Sequence, residues 1–143
     1  MARPLRNDFV GARHHVMNRG IAKRPLFEST RDVRRFLACV AASVRRLEIR
    51  VLVYCVMTTH FHMVIESNGE LARAMARIQR DYVRWFNRGR DRDGSLVRGR
   101  YRSKIIDSES YWRCLIGYID RNPVNAGMAR EPWDYPHGSA RAF

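Results

Sequence analysis

Two apolar runs rich in β-branched residues, Ile49 to Met57 and His60 to Glu66, are separated only by Thr58-Thr59. Two residues can join neighbouring antiparallel strands but cannot carry a crossover, so a β-hairpin is the expected outcome. On either side of it the periodicity changes. From Thr30 to Leu47, Val33, Phe36, Leu37, Val40, Val44 and Leu47 recur at helical spacing, with Ser29 or Thr30 placed to cap the first turn. Downstream, Leu71, Met75, Ile78, Tyr82 and Trp85 or Phe86 mark a second amphipathic helix. The hairpin is therefore bracketed by helices.

The flanks extend the pattern. His14 to Arg19 reads as a strand that ends at Gly20, Asn87 to Gly94 as a charged loop, and Leu96 to Ile106 as an ambiguous stretch able to hold a fourth strand. Ser108 would cap a third helix carrying Trp112, Leu115, Ile116 and Ile119. That helix is expected to stop near Asn122, because Pro123 disfavours helical geometry in the residue before it. The order β-α-β-β-α-β-α describes an α+β fold, a ferredoxin-like split βαβ sandwich whose antiparallel sheet has helices packed on one face and an added C-terminal helix. The opposite face is expected to be free for chemistry.

At 143 residues, 45% of them apolar, the chain is expected to form a single domain spanning 1–143. No apolar run approaches membrane-spanning length and the N-terminus lacks the core of a signal peptide, so a soluble, cytoplasmic protein with no membrane partner is expected. Cys39, Cys55 and Cys114 are odd in number, far apart and set among apolar neighbours, which argues against a zinc cluster or disulfide framework and for small buried hydrophobes. Lys and Arg total 27 against 14 Asp and Glu, a net charge of +13 that favours a polyanionic partner. Only Lys23 and Lys104 are lysines. Arginine forks to phosphate and stacks on bases, which suits nucleic acid.

The segment Met57-Thr58-Thr59-His60-Phe61-His62-Met63-Val64-Ile65-Glu66 carries the sharpest chemical signal. Side chains alternate along a strand, so His60 and His62 share one face while Phe61 and Met63 share the other. Two imidazoles so placed can bind one divalent ion; the alternative is an ordinary polar strand face. Further on, Tyr118 and Asn122 stand four residues apart and share a helix face at the edge of the apolar stripe. A tyrosine there can keep its hydroxyl at the surface, and the amide one turn on could complete a metal site; a border tyrosine and a capping asparagine are the plainer alternative.

Together these motifs resemble the HUH single-strand nucleases, above all the IS200-like transposases and the REP-associated tyrosine transposases. His15-Val16-Met17-Asn18-Arg19-Gly20 looks like their first strand, and Tyr54-Cys55-Val56-Met57 with His60-Phe61-His62 like their metal-site hairpin. Gly99-Arg100-Tyr101-Arg102-Ser103 resembles their late basic segment, and Tyr118-Ile119 with Asn122-Pro123-Val124 their nucleophile helix. One departure is plain: Thr58-Thr59 stands where the family has Pro-Asn, which bears on the turn.

The resemblance implies a metal-dependent single-strand DNA endonuclease and strand transferase, a transposase that acts on DNA hairpins through a 5′-phosphotyrosine intermediate. Tyr118 would be its nucleophile, and His60, His62 and Asn122 would hold Mg²⁺ or Mn²⁺. A monomer and a homodimer both stay open. Tyr82 is the main rival tyrosine, but it continues the apolar series of its helix and is expected to be buried.

Basic residues for DNA lie in two tracts. Arg80, Arg84, Arg88, Arg98, Arg100, Arg102 and Lys104 are interleaved with Trp85 and Tyr101, and Arg3, Arg6 and Arg13 sit near the N-terminus. Phosphate neutralisation with base stacking suits single-stranded DNA. The alternative from another class is a non-catalytic, basic nucleic-acid-binding domain; a relaxase-type or rolling-circle nuclease would call for a longer chain.

Overall fold

The hairpin forms where the spacing requires it, and the rest of the chain assembles around it. The computed structural model describes residues 7–142. Its four strands are β1 (Val10–Arg19), β2 (Ile49–Val56), β3 (His60–Asn68) and β4 (Arg102–Ile105). Its three α-helices are α1 (Thr30–Arg45), α2 (Leu71–Gly89) and α3 (Glu109–Asn125). The sheet runs β2-β3-β1-β4 with every neighbouring pair antiparallel. This is the split βαβ sandwich with an added helix, and the ambiguous Leu96–Ile106 stretch does contain the fourth strand.

Local chemistry starts the helices. The Ser29 hydroxyl accepts from the Asp32 amide at the head of α1, and Ser108 accepts from the Tyr111 amide at the head of α3. Helix α2 has no such side-chain cap of its own. Asp8, just ahead of β1, serves instead. Its carboxylate accepts from the Leu71 amide at 3.0 Å, from Ser67 Oγ at 2.9 Å and pairs with His14 Nε2 at 3.1 Å.

Helices α1 and α2 cover one face of the sheet. Phe61, Met63 and Ile65 of β3 are buried there with Val33, Phe36, Ile78, Tyr82 and Phe86. The expectation of a bare opposite face needs correction. Val53, Cys55 and Val64 are apolar on that side too, and an apolar sheet face must be covered. Helix α3 supplies the cover with Leu115 and Ile119, joined by Tyr135, in a second and smaller core. Helix α3 also runs on to Asn125, three residues past the expected stop. Pro123 sits in its last turn, where a missing amide costs only one bond, and its ring is buried.

The C-terminal segment seals the outer edge of β2. Val56 N donates to the His137 carbonyl at 2.8 Å, and the Tyr54 amide donates to Ser139 Oγ at 2.9 Å. An exposed strand edge invites pairing with other chains, and this tail removes it. Of the three cysteines Cys55 is buried and Cys39 half-buried, but Cys114 is exposed on α3, contrary to the burial expected of all three. Among the described residues no helix is long and apolar enough to cross a membrane.

Candidate functional site

The site grows from strand register. Cross-strand neighbours share a face, and Cys55, His62, Met17 and Arg102 form one such row across all four strands. One step towards the hairpin turn, Arg19 lies opposite His60; one step the other way, His15 lies opposite Val64 and Lys104. His60 and His62 therefore face away from α1 and α2, with His15 and two basic residues of β4 on the same side.

Helix α3 meets them there. The Tyr118 ring stands edge-on to His62, with centroids 5.6 Å apart at 87°. Tyr118 is 53% exposed even with its ring edge-on to the imidazole. The Asn122 side chain, one turn further on, lies close enough to His60 to favour its protonated form. Its rival Tyr82 is in the core, donating its hydroxyl proton to the Leu26 carbonyl at 2.7 Å, and burial pushes its pKa up.

Both imidazoles are held at Nδ1. Thr59 Oγ1 lies 3.0 Å from His60 Nδ1, and His15 Nε2 lies 3.0 Å from His62 Nδ1. His60 and His62 stand nearly perpendicular, centroids 5.1 Å apart, and His15 stacks on His62. All three are driven towards the neutral form. Burial comes first in each case: it lowers His15 with help from Lys104, and lowers His62 to about 3 with help from His15 and His60. For His60, burial and Arg19 lower the pKa against a smaller opposing effect of Asn122. Neutral imidazole is the form that binds metal.

The Thr58-Thr59 turn is firmly held without the family's Pro-Asn. Met57 N donates to the His60 carbonyl, the Thr58 carbonyl accepts from Leu26 and Phe27, and the Thr59 carbonyl accepts from Gly20. Gly20 has no room for a side chain, since a Cβ there would lie 2.1 Å from the Arg24 carbonyl oxygen. Among the described residues no three His, Cys, Asp or Glu side chains are grouped to hold a metal ion. A metal here would rest on two imidazoles and an amide.

The basic tract divides. Arg98 and Arg102 gather beside Arg19, near His60; desolvation and these two neighbouring charges push the Arg98 guanidinium below its usual pKa. None of the three has a carboxylate within 4.0 Å among the described residues, and Arg19 Nε is buried without a hydrogen-bond partner. Asn18 anchors this corner, donating to Gln79 and to the Gly99 carbonyl. Arg100 is exposed between them. Arg13 and Lys104 are engaged within the chain: Arg13 pairs with Glu66 and lies over Trp112, and Lys104 lies over Tyr111. Arg80, Arg84 and Arg88 belong to α2, behind the sheet from the histidines. Arg3 and Arg6 lie outside the described residues.

Sequence reasoning overlooked His15 and Arg19 as site residues, although both sit in the quoted first-strand motif. Their positions depend on pairing with β3, far along the chain. The alternation of β1 was the available signal, since it puts His15, Met17 and Arg19 on one face.

A family model described as "Transposase IS200 like" matches residues 9–122. No curated protein matches the chain. Among solved structures, a REP-associated tyrosine transposase bound to a REP hairpin superposes with a TM-score of 0.80 at 15% identity, covering 97% of this chain and 82% of that one. At that identity the likeness speaks for the fold, while the family match spans most of the sequence and all of the residues just described. The chain belongs to the family of IS200-like transposases.

Proposed function

We propose that the protein is a single-strand DNA nuclease and strand transferase in which Tyr118 attacks a phosphodiester beside a DNA hairpin. One observation carries this reading: the phenol on α3 stands against His62, one of the paired imidazoles of β3, at 5.6 Å between ring centroids. His60, His62 and Asn122 would hold Mg²⁺ or Mn²⁺. The donor set fits: with its proton at Nδ1, each imidazole offers an Nε2 lone pair. A bound ion supplies positive charge that offsets the charge building on the scissile phosphate.

The chain's own residues do the rest. The Tyr118 oxygen bonds to phosphorus as the bond to the 3′-oxygen breaks, giving a 5′-phosphotyrosine and a free 3′-hydroxyl. The phenol gives up one proton and the departing oxygen takes one up, so the step is balanced. Arg19, Arg98 and Arg102, which have no carboxylate within 4.0 Å among the described residues, grip phosphate oxygens. Reversal of the same step on another strand rejoins the DNA without ATP. All four central side chains come from one chain, which supports a site complete without a second subunit and the whole chain acting as one domain. The hairpin held by the structural neighbour supports a hairpin as partner.

Incubation with a labelled single-stranded hairpin and Mn²⁺, followed by a denaturing gel, tests the proposal. A covalent adduct lost with chelator and in His60→Ala is expected. Binding without adduct, over varied hairpins, would leave only a basic binding domain.

A further inference from the structure

The outer surface of the α1–α2 layer carries a basic groove that the chemistry on the opposite sheet face does not use. Its cavity, about 380 Å³, is floored by Ala38 and Ala42 of α1 and rimmed by Arg35, Arg84 and Arg88, with Trp85 as a wall. Arg31 and Arg35 both lie over the Trp85 ring, at 5.6 and 5.7 Å from its centroid. Arg31, Arg35, Arg84 and Arg88 are all exposed, and none has a carboxylate within 4.0 Å among the described residues. The one acid in the lining, Asp81, is already engaged by Arg80 at 3.3 Å. Three guanidinium groups round a concavity, with that of Arg31 beside them over Trp85, concentrate a positive field, which a chain of phosphates relieves.

We propose that this groove binds the phosphodiester backbone of a second nucleic-acid segment, distinct from the one at the histidines. Small floor residues let a backbone approach closely, and Trp85, sided by Arg31 and Arg35, offers a stacking plane for an unpaired base. The four-stranded sheet lies between the two surfaces: Phe61 and Met63 point into the α1–α2 core while His60 and His62 point away from it. A segment in the groove therefore cannot also lie on Tyr118 without passing round an edge of the sheet. The groove would hold a flanking stretch of the same DNA or a second molecule, tethering it while the first is cut.

The test separates this inference from the proposed chemistry by using the Tyr118→Phe background, in which no covalent attachment forms, and fluorescein-labelled dT30 as probe. Each phosphate contact to a single strand contributes about 0.7 to the salt slope of binding. Arg31→Gln/Arg35→Gln is expected to reduce the log–log slope by about 1.4 and to weaken binding on the order of tenfold at low salt. Arg31→Lys/Arg35→Lys is expected to keep most of the slope. In the protein with Tyr118 intact, the Gln pair is expected to leave adduct yield on a minimal hairpin unchanged. An unchanged dT30 slope in the Gln pair overturns the inference. So does loss of the hairpin adduct, which would put these arginines in the first site. Weakened binding to anionic phospholipid vesicles with an unchanged dT30 slope would assign the groove to a membrane surface instead.

Discussion

His15 Nε2 and His62 Nδ1 stand 3.0 Å apart across neighbouring strands, and one proton serves the pair. If that proton resides on His62 Nδ1, the opposite nitrogen of His62 presents a lone pair; if it resides on His15, His62 is protonated at Nε2 and cannot act as a ligand there. The proposed metal site thus requires His15 to be the acceptor. His15→Phe is expected to weaken Mn²⁺ binding about 10- to 100-fold, the usual effect of losing such an orienting partner. Electron paramagnetic resonance titration of Mn²⁺ against the folded variant measures this directly. An unchanged affinity would remove His15 from that role.

Tyr118→Phe is expected to abolish the covalent adduct while hairpin binding persists. Tyr82→Phe should show the reverse pattern. It leaves the Leu26 carbonyl without its buried donor and is expected to cost about 1–2 kcal/mol of stability with adduct formation intact. Gel assays and urea melts of the two variants separate the roles. An adduct surviving in Tyr118→Phe and vanishing in Tyr82→Phe would overturn the assignment.

Asp8 ties the start of β1 to the start of α2, and its ionisation governs that tie. Burial alone would raise its pKa, but bonds from the Leu71 amide, Ser67 and His14 outweigh it and hold the carboxyl below 3.8. A carboxyl with a depressed native pKa contributes stability that is present in full above its unfolded value and is lost as pH falls through the native one. The wild type is therefore expected to lose stability below about pH 4, and Asp8→Asn to be weaker at neutral pH by about 2 kcal/mol with less loss on acidification. Thermal melts at pH 7 and pH 3 check this; parallel losses in both proteins would count against it.

Binding of a hairpin with a single-stranded flank should depend steeply on salt. If about six phosphates are contacted, the log–log slope is roughly −4 to −5. Arg98→Ala and Arg102→Ala should each flatten it by about 0.7 to 0.9. Anisotropy titrations between 50 and 200 mM salt read it out, and a flat response in the wild type would refute phosphate gripping.

The hairpin, the two serine caps and the burial of Tyr82 could be read from the chain because each is written in a few neighbouring residues. What escaped lay in pairings between distant segments. The position of His15 is set by its register with β3, and the basic tract from Arg80 to Lys104 looks continuous until α2 and β4 fall on different sides of the molecule. The crossing of α3 was hidden because the apolar residues that demand cover, Val53, Cys55 and Val64, sit in runs that look uniformly buried. Pro123 misled for a simpler reason: a proline in a last turn breaks little.

The imidazoles and the phenol rest on unequal foundations. Strand β3 is the second strand of the sheet and is pinned by the large aromatic-rich core, whereas α3 is held by the smaller cluster around Leu115 and Ile119. Regions with fewer buried contacts open at lower free energy than the molecule as a whole. Gentle warming or dilute denaturant should therefore swing Tyr118 away while the histidine pair stays assembled, so that the proposed strand cutting would cease well before the protein unfolds.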